Sequence, residues 1–331
     1  MQVFGATETS TIRVWSTADG RLLHTLTGHT DKVQGLAVCG DHLVSGGGED
    51  QTVRVWSIPG GTLEKTLTDF ATLSEQDIYA VAASQQAGTV YGAGADNKIC
   101  VWSTDGWSLQ TTITVNSAGA LPMVTRLAVS ESQQRLYATL ESTNPSDNTA
   151  AISVMSTQDH TELQRVKLSA LYETDDSGAN PFILGAMAFS ESLQRLAFIA
   201  RQYISEADEE AGIGEWDAHY ALELFSLDEN GLISVASRET SSLLGQYDGS
   251  IVGDNALALS ESVLVVGTSQ NGVLVQRHGA RKQTGSDVRA ITLYREEHGY
   301  NAVAYSEKTQ RLFTANGGLH VCSEGPGVTM W

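Results

Sequence analysis

Cysteine is scarce in this chain: Cys39, Cys100 and Cys322 are the only three in 331 residues. An odd, widely spaced set gives neither a disulfide framework nor a zinc-ligand spacing. Cys39 and Cys100 fall in apolar strand-like runs, where a free thiol behaves as a small hydrophobe. Such usage fits a reducing, intracellular compartment. Proline is nearly as rare, with 5 residues against 32 glycines. Many tight turns with few rigid breaks suit a many-stranded all-β chain. Basic residues are outnumbered, 20 against 39 acidic, for a net charge of −19. A chain this acidic lacks the basic stripe that releases phosphate counterions, which argues against direct nucleic-acid binding and against anionic membrane surfaces. The partner its field attracts is a protein with a basic surface patch. No apolar run reaches the roughly 18 residues of a membrane span. The opening MQVFGATETS has neither the basic nor the apolar region of a secretory signal. The expected location is the cytoplasm, or an organelle if the N-terminus is processed.

Signatures of chemistry are missing as well. There is no Gly-x-Ser-x-Gly elbow. The glycine-rich stretches GGGED (46–50) and GAGAD (92–96) precede strands, and no Gly-Lys-Ser/Thr follows them, so neither reads as a phosphate loop. The eight histidines form no i, i+4 pair on a helix. Asp208, Glu209 and Glu210 are contiguous and cannot converge on one ion, and TDDSG (174–178) lacks the acidic alternation of a calcium loop. No catalytic residue, metal or cofactor is expected.

What is present is a repeat. TIRVW (11–15) recurs as TVRVW (52–56) and KICVW (98–102), which places Trp15, Trp56 and Trp102 41 and then 46 residues apart. A second phrase, GLAVC (35–39), recurs as AVAAS (80–84) and RLAVS (126–130). Leu36, Val81, Leu127, Met187, Leu257 and Val303 occupy equivalent places in it, at spacings of 45, 46, 60, 70 and 46. After the phrase comes a tight turn and a second strand, seen as SESQQRLYAT, SESLQRLAFI, SESVLVVGT and SEKTQRLFTA. A third strand such as AISVM (151–155) and a more variable fourth such as LEKTLT (63–68) follow. Four short antiparallel strands in a unit of this size are a propeller blade, and a unit so small must stack on its neighbours. The sequence therefore predicts an all-β propeller forming a single domain over 1–331, most simply with seven blades. QVFGAT, TIRVW and LLHTLT supply a first blade without its innermost strand. A six-bladed ring with a redundant N-terminal hairpin is the alternative.

Those Val-Trp pairs, together with Gly28-His29 in LTGHTDKV, resemble the WD-repeat family. The resemblance implies a hydrogen-bonded network of His29, Ser45, Asp50 and Trp56 in the second unit. The third unit keeps Asp96 and Trp102, the first only Trp15. Met155, Phe225, Arg277 and Cys322 stand near the tryptophan position in later units, where periodicity rather than signature carries the reading. Such a buried set looks like a catalytic triad on paper. Its implied role is to satisfy buried polar groups and lock one blade.

Added length is concentrated in the fourth and fifth units, at 141–150, 169–182, 201–220 and 239–252. These insertions are expected on one face, and the turns of the other face to stay short. In repeat folds, insertions on one face mark the binding face. They are acidic and carry aromatics. Tyr172, Asp175, Asp176, Tyr203, Glu209, Glu210, Trp216 and Tyr220 are the candidate partner-binding residues, since aromatic anchors flanked by charge make interface hot spots. The competing reading is a solvated acidic loop. The function expected is a non-catalytic scaffold for protein–protein interaction, as a subunit of a larger assembly. One alternative is a lactonase-like propeller hydrolase, which needs polar residues where GLAV, AVAA and GAMAF are apolar or small. The other is a modified-peptide adaptor using Arg126, Arg289 and Lys32 near the channel.

Overall fold

The computed structural model describes residues 2–6, 9–69, 77–115, 122–141, 150–171, 182–205, 216–241, 257–268, 272–277, 288–291, 302–306, 311–315, 319–323 and 329–330. Each apolar run forms a strand that pairs with its neighbours in sequence. The first sheet holds β1 (Gln2–Ala6), β2 (Ile12–Ser16) and β3 (Leu22–Leu26). The second holds β4 (Val33–Cys39), β5 (His42–Gly47), β6 (Val53–Ser57) and β7 (Thr62–Leu67). The third holds β8 (Ile78–Ser84), β9 (Thr89–Gly94), β10 (Lys98–Ser103) and β11 (Leu109–Thr114). In the fourth are β12 (Met123–Ser130), β13 (Arg135–Glu141), β14 (Ala151–Ser156) and β15 (Glu162–Lys167). The fifth contains β16 (Phe182–Ser190), β17 (Arg195–Ser205), β18 (Trp216–Ser226) and β19 (Glu239–Ser241). Then come β20 (Leu257–Leu259), β21 (Val263–Thr268), β22 (Gly272–Arg277) and β23 (Val288–Ile291). The last sheet is β24 (Ala302–Ser306), β25 (Arg311–Ala315), β26 (Leu319–Ser323) and β27 (Thr329–Met330). All are antiparallel meanders in chain order. The inner strands β4, β8, β12, β16, β20 and β24 pack successively side by side. The architecture is a β-propeller of four-stranded antiparallel blades.

Strands in the middle of a blade are apolar on both faces because sheets lie on both sides of them. All six residues of β9, TVYGAG, are buried. In the fifth blade Leu196, Phe198 and Phe225 pack backward onto Tyr137, Ile152 and Val154 of the fourth. The opposite row, Ile199, Leu222 and Leu224, packs forward onto Leu257, Leu264 and Val266. Backbone irregularities repeat as faithfully as the apolar pattern. The pairing of third and fourth strands shifts register at Val14/Trp15, Val55/Trp56, Val101/Trp102 and Val154/Met155. Such a bulge sharpens the local twist of the sheet. It persists at Met155, so the backbone form outlasts the tryptophan.

A second recurrent device links blades through the Ser-Glu turns. The Glu131 carboxylate, in the turn after β12, accepts bonds from Ser84 Oγ (2.8 Å) and from the backbone N–H groups of Gln85 (2.6 Å) and Gln86 (3.2 Å). Glu191 repeats this one blade on, accepting from Ser130 Oγ (3.3 Å) and the N–H groups of Glu131 (3.1 Å) and Ser132 (3.0 Å). Each turn thus caps the turn of the preceding blade. Burial raises the Glu191 carboxyl, but these bonds outweigh it and hold it below the usual carboxylate range.

The added length does not all lie on one face. Residues 227–238 connect the third and fourth strands of the fifth blade, on the face where short turns were expected. The excursion lies against the fourth blade: Tyr137 Oη donates to Gly231 O (2.9 Å), and Gln164 exchanges two bonds with Ile233 (2.8 and 3.0 Å). Here Gln164 completes the backbone pairing of an ordered segment. The excursion ends at an ion pair. Glu223 of β18 is 0% exposed and is held bidentately by Arg238 (2.7 and 2.9 Å) and by the Thr240 hydroxyl (3.0 and 3.2 Å). Arg238 also bonds the carbonyl of Leu171 at the end of the fourth blade. An acidic side chain at this depth is tolerable only with all its oxygens engaged. Glu223→Ala should therefore lower unfolding stability by about 3–5 kcal/mol in urea titrations, and Glu223→Leu combined with Arg238→Met should recover most of that loss.

Candidate functional site

Two features occupy the face formed by connections between second and third strands. One is the polar network of the second blade. Trp56 Nε1 donates to Ser45 Oγ (2.8 Å), Ser45 lies 2.7 Å from His29 Nε2, and His29 Nδ1 lies 2.5 Å from Asp50 Oδ2. The ionised carboxylate needs a donor, so Nδ1 carries the proton and Nε2 accepts from the serine hydroxyl. Asp50 also takes the N–H of Thr30 (3.1 Å) and the N–H and hydroxyl of Thr52 (both 2.9 Å). Burial alone would raise the Asp50 carboxyl. The bonds from His29 and Thr52 outweigh it and bring it down to about 2.

The glycines around this network are fixed by it. A Cβ on Gly47 would fall on the Asp50 carboxylate and the His29 ring, and Gly28, at φ +153°, lies against Arg54 and Trp56. Although Ser, His and Asp follow one another as in a hydrolase, Ser45 is fully buried and its oxygen is capped by an indole N–H. Its hydroxyl is not open to solvent. The network holds the loop after β5 to the segment before β4, which is structural work.

In the third blade the residues are arranged differently. Asp96 does not meet Trp102. It accepts the N–H of Lys98 (3.0 Å), closing its own turn as Asp50 does with Thr52. Trp102 instead donates to Asp69 (2.9 Å), a residue absent from the sequence reading. The reason lies at the serine position, where Gly92 stands. A Cβ there would meet the Trp102 ring at 2.8 Å, and Gly5 shows the same relation to Trp15 at 2.9 Å. With no serine hydroxyl beneath it, the indole needs another acceptor. That Asp69 follows the fourth strand as His29 follows β3 was the available signal.

The other feature is a ribbon. Within 201–220, expected as a loop, residues 201–205 and 216–220 are strand: β17 and β18 pair from Arg195↔Ser226 out to Ser205↔Trp216. β16 accompanies them to Gln202, and beyond it the two continue alone. Tyr203 pairs with Ala218, Tyr220 with Arg201 and Trp216 with Ser205. The acidic stretch 206–215, with Glu209 and Glu210, lies outside the described residues, as do Tyr172, Asp175 and Asp176. Of the other insertions, 142–149, 172–181 and 242–256 lie outside them too, while Glu239–Ser241 is the fourth strand β19 and not a loop. Arg289 is in β23, at the outer edge of its sheet, so it cannot converge on the channel with Arg126. The Arg126 guanidinium bonds the Thr125 carbonyl (2.5 Å). Cys39 and Cys100 are buried free thiols, and burial pushes Cys100 up to about 12, which removes its nucleophilic form. No helix among the described residues is long and apolar enough to cross a membrane.

Two substitutions separate these polar anchors. The stabilisation from the depressed Asp50 carboxyl is complete above the ordinary value of 3.8 and disappears as the pH falls through about 2. Asp50→Asn should cost about 2 kcal/mol near neutral pH, with the gap to the parent protein closing between about pH 4 and pH 2 in urea titrations. Asp69→Ala should cost about 1–3 kcal/mol by leaving the buried Trp102 N–H without its acceptor, and the changed indole environment should shift the tryptophan fluorescence of the folded state.

Residues 20–57 match the family model of the WD domain, G-beta repeat, the stretch that contains the whole His29–Trp56 network. No curated protein sequence matches the chain. Among solved structures, Kuenenia stuttgartiensis hydrazine synthase is similar with a TM-score of 0.70 at 14% identity, over 96% of this chain and 90% of that one. The Swd1 β-propeller domain of Myceliophteria thermophila gives 0.65 at 13% identity, over 98% and 94%. At these identities the likeness is one of fold. Repeat match, polar network and blade architecture agree: the chain folds as a β-propeller, and its residues 20–57 are similar to the WD domain, G-beta repeat.

Proposed function

We propose that this protein is a non-catalytic scaffold that docks other proteins on the face bearing the β17–β18 ribbon, as a subunit of a larger assembly, and that its sheets close as one ring of seven blades. The ribbon carries the reading. In the second and third blades the second strands end at Gly47 and Gly94, whereas β17 runs on as far as Ser205. Its two strands outrun the blade and lead into GluAlaAspGluGlu at 206–210. A strand pair rooted in a packed blade presents its end at low entropic cost, as interaction surfaces on repeat folds do. Tyr203, Trp216 and Tyr220 supply the aromatic anchors, and the acidic tip and net charge of −19 select a partner with a basic patch. Neither a hydrolase nor an Arg-based peptide reader draws comparable support, given the sealed Ser45 and the outer position of Arg289.

The register supplies a clean test. Gln202 and His219 face each other across the ribbon, so a two-residue Asn-Gly turn in place of 203–218 closes the hairpin one pair below Tyr203 and removes Tyr203, Trp216 and the acidic tip while keeping Tyr220. This variant should keep the parent urea midpoint and lose the stoichiometric partners that the intact protein captures from its native source. Capture by the parent should weaken as salt rises. Retention of the same partner set by the shortened protein would refute the docking role of the ribbon.

A further inference from the structure

On the face opposite the ribbon, three successive joints between blades differ in what fills them. The β10–β11 and β14–β15 turns are built alike. Ser103 N–H bonds Ser108 O (2.9 Å) and Ser156 N–H bonds Thr161 O (3.0 Å), with Trp107 and His160 in the left-handed region at φ 54° and 61°. At the joint of the second and third blades the Trp107 indole fills the space, edge-on to His42 at 5.1 Å and packed on the cluster of Val44, Val55 and Val90. At the joint of the fourth and fifth blades residues 227–238 fill it, and Gly231 O takes the Tyr137 hydroxyl proton. Between the third and fourth blades stands the smaller imidazole of His160, 6.2 Å from the ring of Tyr91. Tyr91 is the register equivalent of Tyr137: it faces Ala82 and Val101 as Tyr137 faces Ala128 and Val154. Without a carbonyl from the next blade, its hydroxyl pairs with Thr89 (3.0 Å). What the smaller ring leaves is a cleft of about 430 Å³ between the two blades, in the size range of ligand sites.

The wall of this cleft is polar and its bonding is incomplete. Thr157 is 5% exposed, and its hydroxyl makes no hydrogen bond among the described residues. His160 Nε2 is buried and has no partner among them either. Burial holds that ring below the ordinary histidine range, so it is neutral near pH 7, with one nitrogen a donor and the other an acceptor. Buried polar groups are ordinarily paired, and an unpaired one calls for a partner. Side-chain amides of Gln86, Gln110 and Gln158 complete the wall, while Glu131 is already spent on the β8–β9 turn. The connections that border the cleft, 85–88, 131–134 and 157–161, all lie within the described residues. β11, β12, β13 and β14 lead into the undescribed stretches 116–121 and 142–149 from strand ends on the other face.

We propose that the cleft between the third and fourth blades binds a tight Asn-Gly turn of a partner protein, with basic flanks, as 227–238 is held one joint on. That internal segment shows the form of the occupant. Asp228 Oδ1 accepts the N–H groups of Asn230 (2.8 Å) and Leu232 (2.9 Å), and Gly231 lies at φ 73°. The turn thereby pairs its own donors and presents the carbonyls of Asn230 and Gly231 to Arg135 and Tyr137 (both 2.9 Å). In the cleft the Thr157 hydroxyl, the unpaired His160 nitrogen and the glutamine amides are the groups such carbonyls meet. The net charge of −19 favours Lys or Arg beside the turn. This site does not depend on the β17–β18 ribbon.

The probe is the synthetic peptide KLDKNGLIK, the internal turn 227–233 with Glu229→Lys and a lysine at each end, followed by calorimetry and by the NMR signals of the His160 ring. Expected is one-to-one binding that moves those signals. Binding should fall at least ~10-fold for KLDKNVLIK, because valine resists the left-handed position. His160→Trp supplies from within the indole found at 107, and should abolish binding while the urea midpoint stays or rises. Thr157→Val removes an unpaired buried hydroxyl at constant shape, so it should leave the midpoint unchanged or raised and weaken binding ~5-fold. Failure of the unaltered protein to bind, binding that leaves the His160 signals in place, or indifference to the Gly-to-Val change in the peptide would overturn the proposal. So would undiminished binding by a folded His160→Trp protein, or a His160 Nε2 already hydrogen-bonded in the protein alone, which would mean that its own chain fills the cleft.

Discussion

A sheet with apolar side chains on both faces is stable only between two others, and everything else in this molecule answers to that requirement. Phe198 and Phe225, stacked at 5.5 Å, turn to the blade before, while Leu222 and Leu224 turn to the blade after. A single unit cannot satisfy both. Stability therefore resides in the joints between units, as nearest-neighbour coupling does in any repeat array. The Ser-Glu turns place a carboxylate of one blade over the exposed N–H groups of the last, so the polar rim is joined in the same order as the apolar core. Repeated bulges give each sheet the twist that lets successive faces meet.

Polar anchors vary where the core does not. The second blade uses His29, Ser45 and Asp50 to settle one indole N–H, the third uses Asp69 directly, and the fourth has Met155, which asks for no acceptor. One constraint produces three solutions: a buried N–H must be paired, and an aromatic that lacks one need not be. The fifth blade carries the costliest solution, the buried Glu223 held by Arg238 and Thr240, and with it an ordered excursion that seals the joint to the fourth blade. Extra length in this protein thus does two jobs, on opposite faces. At 227–238 it reinforces a joint, and at 201–205 and 216–220 it extends a sheet outward.

The sequence alone determined the fold class, the repeat length and the strand order within a unit. Those properties rest on period-two apolar patterns and on turns, which are local and leave their mark in neighbouring residues. It also determined that His29, Ser45, Asp50 and Trp56 belong together, because a family signature lies over them. Tertiary structure alone decided which acceptor reaches Trp102, that Glu131 and Glu191 bind the blade before them, that 201–205 and 216–220 are strand, and that Glu223 is sealed with Arg238. Each of these joins residues whose distance in space is not a function of their spacing in the chain. Asp69 lies 33 residues before Trp102 and Glu191 lies 61 after Ser130. Only the stacking of one blade on the next brings such groups within a hydrogen bond.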